Sequence, residues 1–153
     1  MKNQQQITVS EVQLTYKNKV KPSERKKITS SKDAYQIFID NWNPEIIEFV
    51  EEFKILLMNR ANSVLGILEI SKGGISGTVT DVRIVFQAAI KGNASGIICA
   101  HNHPSGNLNP SESDTRLTQK LREAGNLMDI QLLDHLILAT EGDYYSYADN
   151  GTL

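Results

Sequence analysis

The sequence predicts an α/β protein, a mixed central β-sheet with helices on both faces. Three observations predict it. Apolar runs of strand length alternate with amphipathic stretches of helical spacing over most of the 153 residues. The first two runs, Phe53 to Met58 and Ser63 to Ile70, flank a short polar turn and read as an antiparallel hairpin. Ser95 to Ala100 is apolar without alternation, as in a central strand covered on both sides. Helices alternating with strands after an initial hairpin give a mixed sheet between two helical layers.

The elements follow in order. Residues 1–28 are polar and lysine-rich and predict a basic, partly flexible arm ahead of a domain over 29–153. Within the arm, Ile7 to Val9 and Val12 to Tyr16 alternate weakly and predict an edge strand. Ser30 or Ser31 can cap a helix to about Trp42, which Asn43-Pro44 breaks. Glu45 to Val50 adds a helical turn. Asn59 to Asn62 turns the hairpin, and Gly73 to Gly77 is a loop. Thr80 is the expected cap of a helix over Asp81 to Lys91, with Gly92 after its end. Pro110-Ser111 opens a helix to Ala124, with Gly125 as its stop. Ile130 to Leu138 and Tyr144 to Tyr147 are the last strands.

Charge and cysteine usage narrow the classes. Residues 1–32 carry eight basic and two acidic side chains, and the remainder carries eight and sixteen. The domain itself is acidic and is not a basic nucleic-acid binder. Lys17 to Lys27 holds six basic residues, but no aromatics interleave to stack on bases. The single Cys99 excludes a disulfide framework within the chain and a cysteine-rich zinc ribbon. No run approaches a membrane span and the first residues lack an apolar leader, so a cytoplasmic protein is expected.

The chemistry gathers in His101-Asn102-His103 and the eleven residues after it. In extended backbone, residues two apart point the same way, so His101 and His103 can aim at one point. Asp114 falls in the first turn of the next helix. Ser111-x-x-Asp114 is also a capping box and needs no metal for that role, and the two roles are compatible. Two imidazoles and a carboxylate on a tetrahedral zinc leave a fourth position for water. Such a site needs a base, and Glu51 and Glu52 head the first strand. They face opposite sides of it, and strand geometry alone leaves the choice between them open. Asp134-His135 interrupts an apolar strand. It reads either as a buried hydrogen-bonded pair or as a group behind the ligands that orients one of them.

These residues resemble a known pattern. His101-x-His103, seven residues, Ser111, two residues and Asp114 resemble the JAMM (MPN+) metalloprotease signature. The string from Ala100 to Gly106, Pro110-Ser111-x-x-Asp114 and Leu133 to Ile137 resemble the RadC family within it, as do Glu51 to Phe53 and Val79 to Ala89. The resemblance covers about residues 30–153. It implies a JAMM/MPN (cytidine-deaminase-like) sheet and one zinc ion per chain on His101, His103 and Asp114. It implies Ser111 as the group steadying an oxyanion. It favours Glu51, two residues before the strand's phenylalanine, as general base, with Glu52 as the fallback. It implies cleavage of peptide or isopeptide bonds in a protein or peptide substrate. RadC proteins usually carry an N-terminal helix-hairpin-helix DNA-binding region, and these thirty residues lack its pattern. The chain is in this respect similar to short RadC-like proteins of bacterial mobile elements. The rival expectation is a DNA-associated accessory protein of repair or mobile elements, or a metal-dependent nuclease.

Overall fold

A computed structural model describes residues 8–74, 77–140 and 142–153. The chain forms α1 (Ser31–Asp40), β1 (Glu52–Met58), β2 (Val64–Lys72), α2 (Val82–Lys91), β3 (Gly96–Asn102), α3 (Glu112–Leu127), β4 (Gln131–Leu138) and β5 (Tyr144–Ser146). The sheet order is β2-β1-β3-β4-β5. The β3–β4 pair is parallel and the other three pairs are antiparallel, so the sheet is mixed as expected.

Period-2 alternation divides each central strand between two cores. Leu56, Met58, Ile98, Ala100, Leu136 and Leu138 face α1, where Ala34, Phe38 and Trp42 meet them. Phe53, Ile55, Leu57, Ile97, Cys99 and Leu132 face α2 and α3, against Val85, Phe86, Ala89 and Leu121. Every residue of β1 and β3 is buried, which is why neither run alternates in hydropathy. Each large apolar side chain buried this way contributes about 1.5–3 kcal/mol.

Three local expectations differ from the structure. Val12 to Tyr16 forms no strand: Val12 is 84% and Leu14 96% exposed, and no sheet edge pairs with them. Ile7 of the other expected strand segment, and Ile75 and Ser76 of the glycine loop, lie outside the described residues. The cap of α2 is Asp81, whose side chain accepts from Arg83 N, rather than Thr80. Gly125 does not end α3, which continues to Leu127. Between α1 and β1, Ile46, Phe49 and Val50 donate back to Asn43 and Ile46, giving the expected turns. Farther back, Ile28 N donates to Asn62 O and Val64 N to Lys26 O, fixing this part of the arm to the start of β2. Among the described residues no helix is long and apolar enough to cross a membrane.

Candidate metal centre

The site forms where β3 ends and α3 begins. The alternation of β3 sends His101 to the α3 face and Asn102 to the α1 face. His103 follows the strand, and its Nε2 comes to 3.0 Å from His101 Nε2. Ser111 caps α3: its Oγ accepts from Asp114 N at 3.0 Å, and Asp114 Oδ2 accepts from Ser111 N at 2.7 Å. This capping box turns the Asp114 carboxylate back over the helix start. Its Oδ1 lies 3.2 Å from His101 Nε2 and its Oδ2 3.3 Å from His103 Nε2. His101, His103 and Asp114 thus converge on one point, and they could hold a metal ion.

Electrostatics follow from this crowding. Burial pushes the Asp114 carboxyl upward, but the two imidazoles beside it, His101 and His103, prevail and hold it well below the usual carboxylate range. Burial works against charging His103. Hydrogen bonding to Asp114 and to the Asn107 carbonyl, with the charges of Asp114 and Glu51, nonetheless raises its pKa. The metal-free site therefore draws a proton to the place where a cation would sit.

Glu51 and Glu52 are separated by the sheet. Phe53 pairs with His101 across β1 and β3. Alternation puts Glu51 on the face of Phe53 and His101. Glu51 lines a cleft of about 490 Å³ together with His101, His103, Ser111 and Asp114. Burial raises its carboxyl pKa above the ordinary value, although the charges of His101 and His103 oppose this. Glu52 points the other way, is 1% exposed, and has Lys72 Nζ at 3.6 Å and Lys54 Nζ at 4.0 Å.

Asp134 and His135 are split in the same manner. Asp134 accepts from Ser146 Oγ at 2.6 Å, His135 N at 2.7 Å and Ala148 N at 3.0 Å, and it braces the segment after β5. His135 is fully buried behind the His-His-Asp group, with Nε2 2.8 Å from His101 Nδ1 and Nδ1 2.6 Å from Thr118 Oγ1.

Two residues that carry the site escaped sequence reasoning. One is Thr118, an ordinary helix residue one turn after Asp114. The other is Asn102, the middle letter of His-Asn-His. Its Oδ1 accepts from Glu52 N at 2.7 Å, and its Nδ2 donates to Ile47 O at 2.7 Å and Val50 O at 2.8 Å. It clamps the backbone on either side of Glu51 to the strand that carries the histidines. Its position between two candidate ligands, on the opposite face, was the available signal.

The sheet order, the two helical layers and a His-His-Asp group at a strand end define an α/β domain of JAB type with a candidate metal centre. A family profile described as the RadC-like JAB domain matches residues 28–152, and the chain belongs to that family. A UPF0758 protein of Flavobacterium johnsoniae is 50% identical over 127 residues, covering 82% of this chain and 53% of that protein. One of Porphyromonas gingivalis is 41% identical over 130 residues, 84% and 56% of the two chains. One of Salinibacter ruber is 39% identical over 131 residues, 85% and 54%. The chain spans about half the length of these curated relatives.

Proposed function

We propose that the chain is a zinc-dependent hydrolase of JAMM type that cleaves an amide bond in a protein or peptide. The carrying observation is the convergence of His101, His103 and Asp114 in a cleft that Glu51 also lines. The donor set fits zinc. Ligand atoms about 2.0–2.1 Å from a tetrahedral zinc stand about 3.3 Å from one another. The separations here are 3.0, 3.2 and 3.3 Å, close to that spacing. His103 Nδ1 faces the Asn107 carbonyl, an acceptor only, so this nitrogen carries the hydrogen and Nε2 is the ligand atom.

When bound, zinc supplies a Lewis acid and lowers the pKa of a coordinated water to about 7. The chain's own residues do the rest. Glu51 takes the proton from the attacking water and delivers it to the leaving amine. Its raised pKa brings it nearer the working pH of a group that must do both. Ser111 Oγ accepts from Asp114 N, which leaves its own hydrogen free to donate to the oxyanion. Asn102 keeps Glu51 in register with His101.

Elemental analysis of the purified full chain is the test. One zinc per chain is expected, and His103→Ala should lose it. A zinc-free native protein, or a His103→Ala variant that retains zinc, overturns the proposal. With zinc established, cleavage of a peptide library is expected, and Glu51→Gln should slow it by about 10²–10⁴-fold while retaining the metal.

A second reading, attachment to DNA, has one observation in its favour. Lys17, Lys19, Lys21, Lys26 and Lys27 are exposed, and among the described residues they make no ion pair. Salt-dependent duplex binding that disappears on replacing these lysines with glutamine would support it. Binding unaffected by those replacements would remove it.

A further inference from the structure

Behind the metal cluster, a short chain of buried groups has its hydrogen-bond direction set from one end. Thr118 is 2% exposed, and its hydroxyl donates to the Asp114 carbonyl at 2.7 Å. With that hydrogen engaged, the hydroxyl meets His135 Nδ1 as an acceptor. His135 Nδ1 therefore carries the ring hydrogen and Nε2 is bare. His135 Nε2 faces His101 Nδ1, so His101 Nδ1 carries its hydrogen in turn. His101 Nε2 is left bare and aimed at His103 and Asp114.

The chain also closes a loop. Asp114 reaches His101 through its carboxylate on the metal side and through its carbonyl, Thr118 and His135 on the other. Two candidate ligands from β3 and α3 are thereby joined through β4.

We propose that Thr118 and His135 are positioning residues that hold His101 in the tautomer presenting Nε2 to a metal, and that they couple its placement to that of Asp114. This rests on the metal-centre reading above. Mutating partners of this kind weakens metal binding about 10–100-fold. Thr118→Val keeps the shape and removes the hydroxyl, and Thr118→Ser returns the hydroxyl without the methyl.

The experiment has two arms. Long-range 1H–15N NMR of the full metal-free chain at alkaline pH reads the ring tautomers. Hydrogen on Nδ1 of both His135 and His101 is expected, and hydrogen on Nε2 of either ring overturns the proposal. Chelator competition reads zinc affinity. Thr118→Val is expected to bind about 10–100-fold more weakly and Thr118→Ser to return to the unmodified affinity. A valine variant that binds as tightly as the unmodified chain, or a serine variant as weak as valine, also overturns it. Should Thr118→Val fail to fold, the tautomers of the unmodified chain and the affinity of Thr118→Ser still decide. If the unmodified chain binds no zinc, the metal reading falls while the tautomer arm reports on the relay by itself.

Discussion

Asn102 uses its carbonyl oxygen and both amide hydrogens on the segment that delivers Glu51. Asn102→Ala orphans one buried N–H and two carbonyls, at a cost of about 1–3 kcal/mol. The variant should unfold at lower denaturant yet take up added zinc as the unmodified chain does, because His101 lies on the other face of β3. Parallel denaturation and chelator titration check this, and equal losses in both would contradict the separation of roles. Asp134 supports a second prediction. Burial raises its carboxyl pKa, although hydrogen bonds from Ser146, Ala148 and His135 oppose the shift. A carboxyl raised in the folded state contributes stability that is present below its unfolded pKa of about 3.9, and this is lost as pH rises through the folded value. Asp134→Asn should therefore gain on the unmodified chain as pH goes from acid to neutral, read as denaturant midpoints. A constant difference would contradict it. The convergence of His101, His103 and Asp114 was legible in the sequence because its logic is local: an i, i+2 pair and a capping box. Asn102 and Thr118 were not, because their partners lie up to 55 residues away and depend on strand register, and the same register decides between the two sequence readings of His135.

At the scale of elements, all eight helices and strands after the arm were legible from periodicity, since each has an apolar face or an apolar run. Their ends were less so. Gly125 looks like a helix stop, but α3 passes through it, and Asp129 takes the left-handed backbone at φ 54° beyond the helix end. The glycine is there for packing. A Cβ at this position would stand 2.2 Å from Ile130 O as the chain turns into β4. The obstacle is backbone and cannot rotate away. Gly125→Ala should therefore destabilise, by about 1–3 kcal/mol, although alanine is the better helix former. Thermal unfolding of the variant checks it, and an unchanged or raised midpoint would show that the α3–β4 turn yields. Val12 to Tyr16 shows the converse limit: alternation alone makes no strand where no neighbour supplies hydrogen bonds.

For the whole molecule, zinc on the His-His-Asp group, as proposed above, would link stability to both metal and pH. β3, α3 and β4 each contribute a group to the cluster or stand behind it, so a ligand that binds only the folded state stabilises all three together. At zinc one hundred times its dissociation constant the gain is about 2.7 kcal/mol. The pH dependence has a definite sign. The raised His103 contributes stability to the metal-free fold that is present below its unfolded pKa of about 6.5 and is lost as pH rises through the folded value. Zinc requires the same ring neutral, so its affinity improves over that interval as the competing proton leaves. The stabilisation by zinc, read as the melting temperature with zinc minus that with chelator, should therefore widen from pH 6 to pH 8, its free-energy equivalent growing by up to about 1.4 kcal/mol per pH unit for one displaced proton. His103→Ala should show no zinc increment at either pH. A gap that narrows with rising pH would mean that the proton and the metal do not compete for His103.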